Sequence, residues 1–170
     1  SARDWLARRS RLLPPIATWD MGDDRDHARP ARPPAGTTHA VLDTPAGLHG
    51  KQLERVLKAV QRVIVPVQPS LFDILATQHF LEKLLEEKTI RKQHTFVAVV
   101  GMRVDTRTRA AAELERFLAQ YDLPVLACLR DTQRYVQAAA HGMTLFDLTP
   151  SRVAQDLAQW QPIVDWADAD

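Results

Sequence analysis

The chain has 170 residues, 45% hydrophobic and 25% charged, the balance of an ordinary soluble domain with enough length for one core. Its formal net charge of +1 excludes bulk charge as a driver of nucleic-acid or lipid binding, so any such affinity needs a local patch. A single cysteine, Cys128, excludes an internal disulfide and a Cys/His zinc set and suits a reducing, cytoplasmic compartment, while no apolar run approaches the ~20 residues of a membrane span.

The chain opens on Ser1-Ala2-Arg3-Asp4-Trp5, without an initiator Met or a signal-peptide core, which gives the expectation of a chain that continues upstream. Ser1 to Arg9 reads as a short helix capped by Ser1, and Ile16 to Trp19 as a short strand. Residues 20–37, rich in proline, read as a polar surface loop within a single domain of residues 1–170. From Thr38 the pattern alternates regularly. Ala40-Val41-Leu42 is a short apolar strand ending at Asp43. Lys51 to Gln61 is helical, with Leu53, Val56, Leu57 and Val60 on one face. Val63 to Val67 reads as a buried strand, with Pro66 near its end, where a missing N–H costs least. Ser70 starts a long helix with Asp73 as first-turn partner and an apolar face of Leu71, Ile74, Leu75, Leu81, Leu84 and Leu85. Next come a buried strand over Thr95 to Val100, a helix over Thr106 to Tyr121 and a strand over Pro124 to Leu129. A helix over Asp131 to His141 is stopped by Gly142, and an amphipathic helix runs over Ser151 to Trp160.

Short continuous apolar strands between amphipathic helices imply parallel β-α units, hence an α/β fold with a doubly wound, mostly parallel sheet and helices on both faces. Ligands of such folds bind beyond the carboxyl ends of the strands. Asp43 stands there, where an acidic side chain can orient a hydrated Mg2+ beside nucleotide phosphates, and Gly47 lets backbone approach a γ-phosphate. The same residues with Pro45 also read as an ordinary turn. Arg103, Arg107, Arg109, Arg130 and Arg134 come after the last two strands. They read either as a cluster for DNA phosphates or as solvated charges paired with Asp105, Asp131 or Glu113. Gly47-Leu48-His49-Gly50-Lys51-Gln52 imitates a phosphate loop, but Pro45 and Gln52 occupy positions that require Gly and Ser/Thr. The six histidines have no metal-ligand spacing.

Four segments, in order, resemble the ParA/MinD family of partition ATPases. Ala40 to Gly47 is similar to its "hhhhDTPPG" Walker B region, and Val65 to Asp73 to its "IPVQPSPLD" element. Val100 to Arg109 resembles "NRVDPRTR", and Leu123 to Gly142 resembles "LPVL…IRDRVAYREAAAEG". Ser1 to Arg9 is similar to the stretch after that family's second strand. The resemblance implies a P-loop NTPase-like fold lacking its first β-α-β unit, with the "KGGVGKT" loop lying before residue 1. It implies ATP and Mg2+ as cofactors, with Asp43 as catalytic residue and water-mediated Mg2+ ligand. Pro45, Gly47 and Met102 would stand at the nucleotide, although Met102 replaces an Asn that can bond an adenine edge. It further implies nonspecific DNA binding by the five arginines, ATP-dependent homodimerisation, a ParB-like stimulating partner, a nucleoid-associated cytoplasmic location and a role in chromosome or plasmid partitioning. The alternative is a non-hydrolysing ParA-like module that binds DNA or a partner. A MinD-like membrane role would need a basic amphipathic C-terminal helix, and the chain ends Asp165-Trp166-Ala167-Asp168-Ala169-Asp170 instead.

Overall fold

A computed structural model describes residues 2–19, 32–45, 47–92 and 94–169. Three apolar runs form strands: β1 (Arg62–Val67), β2 (Phe96–Gly101) and β3 (Val125–Cys128). Among the described residues they make one three-stranded sheet in the order β1-β2-β3, both pairs parallel. Helices α1 (Ala2–Arg8) and α2 (Gly50–Leu57) precede the sheet. Helices α3 (Leu71–Glu86) and α4 (Lys88–Arg91) join β1 to β2, and α5 (Arg109–Leu118) joins β2 to β3. After β3 come α6 (Gln133–Ala140), a 3-10 turn at Leu145–Asp147 and α7 (Pro150–Asp168). None of the described helices is long and apolar enough to cross a membrane.

Strand periodicity divides the core into two layers. Val65, Val67, Val97 and Val99 project to one face, where Leu53 and Leu57 of α2, Leu81 and Leu84 of α3, and Leu114, Phe117 and Leu118 of α5 cover them. On the other face Val100 meets Ile163 and Trp160 of α7, with Leu126, Ala127 and Leu129. Helices therefore lie on both faces, as the alternation of strands and helices predicts.

Helix starts reflect local chemistry. The hydroxyls of Ser70, Thr108 and Thr132 accept from the N–H groups of Asp73, Ala111 and Arg134, capping α3, α5 and α6. Pro66 sits within β1 on an edge. The Phe96 N–H donates to the Gln61 carbonyl (2.9 Å) and the Met102 N–H to the Val67 carbonyl (2.8 Å). Odd-numbered residues thus turn their backbone groups toward β2, and Pro66 turns its missing N–H outward, where no ladder bond is lost.

Five expectations are corrected. Residues 16–19 form no strand, and Ile16 is exposed. Residues 40–43 form none either, and Val41 is 87% exposed. So short a run has no ladder of its own, and it pairs with neither β1 nor β3. Strand β1 is buried on one face only, with Ile64 and Pro66 exposed, because none of the described elements covers the other face at this edge. Leu71 and Leu75 face solvent, since the core side of α3 is Ile74, Thr77, Leu81 and Leu84. Helix α7 also runs on past Trp160 and through Pro162. Pro162 and Ala158 are both exposed, so the carbonyl left without its N–H partner can bond water. The Ser1 cap and positions 20–31 of the surface loop lie outside the described residues. Positions 32–37 are exposed, with a turn closed by the Thr37 N–H on the Pro34 carbonyl.

Candidate functional site

The carboxyl ends of the three strands are tied into one ledge. The Leu129 N–H donates to the Gly101 carbonyl (2.7 Å), and the Val104 N–H to the Leu129 carbonyl (2.9 Å). Gly101 is needed for this approach: a Cβ there would stand 3.0 Å from Cys128 Sγ and 3.1 Å from Val104 Cγ2. Arg103 is the one described non-glycine residue with positive φ, at 54°. It turns the chain out of β2 in a left-handed conformation that costs a side-chain-bearing residue about 1 kcal/mol. Met102, before it, is half-buried and packs on the α7 layer, presenting a thioether where a polar base contact would need an amide.

Four of the five predicted DNA-binding arginines have carboxylate partners. Arg103 donates to both oxygens of Asp131 (3.2 and 3.4 Å), bridging the loops after β2 and β3. Arg107 donates to Asp105 through Nε (3.0 Å), Nη2 (2.9 Å) and its backbone N–H (3.1 Å). These bonds hold the Asp105 carboxyl at about 2. Both pairs stay on the surface, with Arg103 65% and Arg107 86% exposed. Arg109, at the start of α5, is exposed. Arg130 and Arg134 differ: both reach Asp156, whose side chain has no solvent exposure.

Asp156 is the residue that sequence reasoning missed. Its Oδ1 accepts from Arg130 Nε (2.5 Å), and its Oδ2 from Arg130 Nη2 (3.1 Å) and Arg134 Nη1 (3.0 Å). The Arg130 bonds hold its carboxyl below the usual range, against the opposing effect of burial. Beside it the Gln159 amide accepts from the Arg130 N–H and donates to the Cys128 carbonyl, each at 3.1 Å. Helix α7 is thereby locked to the end of β3. A second pair ties α1 to the far end of the chain. The Arg9 guanidinium donates to both Asp147 oxygens (2.8 and 3.0 Å) and to the Gly142 carbonyl (3.1 Å), and stacks on Trp5.

Asp43 is exposed and makes no hydrogen bond or ion pair among the described residues, and Pro45 and Gly47 beside it are exposed too. Gly47 has φ 77°, with open space where a Cβ would stand. The His49 ring shares a hydrogen bond with the Gly47 carbonyl (2.8 Å), so the segment is a turn leading into α2. No group of three or more His, Cys, Asp or Glu side chains gathers among the described residues. A single carboxylate such as Asp43 fits Mg2+ brought in on nucleotide phosphates, which needs one or two protein carboxylates, but not an ion caged by protein alone. The structure thus groups Met102, Arg103, Arg107, Arg109, Arg130 and Arg134 along adjoining strand ends, and leaves Asp43, Pro45 and Gly47 on an unpaired segment. Burial and the nearby Glu115 push the Cys128 thiol up, away from reactive thiolate. Compared with protein-family models and with curated proteins, the sequence matches none.

Proposed function

We propose that these residues belong to a ParA-type partition ATPase, in which Mg-ATP controls association and binding to DNA of any sequence. One observation carries the reading. Three of the four resembling segments lie at the carboxyl ends of three adjoining parallel strands: Val65 to Asp73 as β1 and the start of α3, Val100 to Arg109 as β2 and its loop, and Leu123 to Gly142 as β3 and α6. That rim is where open α/β sheets bind ligands. In this reading Asp43 holds Mg2+ through water, Gly47 lies against the γ-phosphate, and Arg103, Arg107 and Arg109 meet DNA phosphates. Arg130 and Arg134 contribute with the surface they keep outside the Asp156 pair. The 170 residues contain no phosphate loop, whose backbone N–H groups and lysine would hold the triphosphate. They are therefore expected to show no appreciable ATP binding or turnover by themselves, and Lys51→Ala is expected to change nothing.

A second reading, a DNA-binding module without hydrolysis, is favoured by the exposed position of Asp43 outside the described strands. The two are separated by measuring turnover after the 170 residues are joined behind a β-α-β unit bearing "KGGVGKT". Asp43→Asn keeps size and removes charge, so Mg2+-dependent turnover should fall steeply while nucleotide still binds. Normal turnover in Asp43→Asn would overturn the ATPase site. DNA binding is tested on the same joined protein with Mg-ATP, by fluorescence anisotropy with a random duplex. Arg103→Ala with Arg107→Ala should weaken binding and flatten its salt dependence, since each phosphate contact adds to the slope. An unchanged slope would make both arginines ordinary surface charge.

A further inference from the structure

We infer that the outer face of α3 is a self-association surface, on which a second copy of this chain lays its own α3 antiparallel. The inner face, Ile74, Thr77, Leu81 and Leu84, is spent on the core. The opposite face of the first turns is Leu71, Phe72, Leu75, Ala76 and His79, all exposed. Leu71, Phe72 and Leu75 are 67, 82 and 43% exposed. The helix is thus apolar on two opposite sides over its N-terminal half, the pattern of a helix covered on both.

The chemistry of the strip favours a second copy. It carries no carboxylate, ammonium or guanidinium group, and its spacing is the 3/4 spacing of helix seams. An antiparallel pairing centred between Leu75 and Ala76 sets Leu75 of each copy over the small Ala76 of the other and Phe72 over His79, so the strip complements itself under two-fold symmetry. Antiparallel helices also oppose their macrodipoles favourably. With a net charge of +1, two copies hardly repel. The positions that continue the face are exposed Glu82, Lys83 and Glu86, an acidic balance unsuited to an anionic membrane. Area sets the strength. The three large side chains expose roughly 350 Å2, about half of what each partner buries in a standard interface. The dimer is therefore weak, with a dissociation constant on the order of 100 µM.

The test is sedimentation velocity over a concentration series, with Phe72→Asp beside the native chain. The native chain should shift from monomer to dimer as concentration rises. Phe72→Asp should raise the dissociation constant at least tenfold with an unchanged circular dichroism spectrum, because an acidic residue in the first turn suits the helix. Under mild oxidation Ala76→Cys should yield a cross-linked dimer, and the native chain, whose one thiol is Cys128, should not. A monomer at every concentration, a dimer that survives Phe72→Asp, or no cross-link through position 76 would each overturn the proposal and leave the strip to another protein.

Discussion

A carboxylate with no solvent exposure persists only where bonds replace its water, and Asp156 has three, all from arginine. Removing it strands two guanidiniums. Losing one partner of a fully buried pair costs ~3–5 kcal/mol, but Arg130 and Arg134 keep about a third or more of their side chains in water. Asp156→Ala should therefore lower the unfolding free energy by about 2 kcal/mol, read from urea denaturation, with Arg103→Ala, an exposed pair, near zero. Acid adds a second test. Asp147 and Asp156 both have carboxyls lowered by their arginine partners, Arg9 and Arg130 foremost. The unfolded chain, with carboxyls near ~3.9, binds more protons as pH falls through that value. Stability from these pairs is thus complete above about pH 5 and lost as pH drops toward the folded values, while the arginines stay charged throughout. The urea midpoint should be flat from neutrality to about pH 5 and fall below it, less steeply in Asp147→Asn. Asp156 was legible in principle: Val153, Asp156, Trp160 and Ile163 share the inner face of α7, and an acid on an apolar stripe signals a buried partner. Its partners were not legible, because nothing local joins residues 22 and 26 positions apart.

Elements whose own sequence specifies them were readable, and those that depend on neighbours were not. Helices α3, α5 and α6 lie within the segments expected to be helical, and the Ser70 cap stands where expected, while Thr108 and Thr132 cap α5 and α6 two residues or so inside the expected starts. Strands β1, β2 and β3 are short apolar runs that find partners. Residues 40–43 have the composition of a strand and no strand beside them, so composition alone misled. Gly142 shows an element fixed by contact. Its φ of 66° ends α6, and a Cβ there would lie 2.4 Å from the Arg9 backbone nitrogen and 2.6 Å from the Arg8 carbonyl carbon. Backbone cannot yield as a side-chain tip can, so Gly142→Ala should push α1 away and disturb the Arg9–Asp147 pair. Gly47 has a similar φ of 77° in open space, which isolates the conformational cost. Gly47→Ala should cost about 1 kcal/mol, and Gly142→Ala clearly more. Trp5 should report the difference by fluorescence, because its indole N–H donates to the Met143 carbonyl only while α1 is docked.

Across the whole molecule the sheet is a slab with two open edges among the described residues, since β1 and β3 each pair on one side only. Edges of this kind template further strands unless charge, proline or curvature blunts them. On β3 the bulge beside Val125 distorts the ladder, and Val125 is 44% exposed. The β1 edge has two guards. Pro66 removes a donor from the row formed by residues 62, 64 and 66. Arg62 lies over the Phe96 and Trp166 rings and donates to the Ala169 carbonyl, which covers the start of the strand. Between these guards stands Ile64, 41% exposed and carrying both backbone groups outward. The weak point of the molecule is thus one residue long, and heating should expose it first, giving a melt that ends in irreversible aggregation through strand addition. Ile64→Lys should slow that aggregation severalfold, read by light scattering at constant temperature, because a charge at the centre of the edge repels an incoming copy. Its cost in stability should stay near 1 kcal/mol, since only part of the side chain is buried. The reversible dimer expected through Phe72 should be untouched by this change, as Phe72→Asp should leave the aggregation rate unchanged. If Ile64→Lys aggregated as fast as the native chain, the edge would not be the route, and the exposed apolar face of α3 would be the next surface to charge.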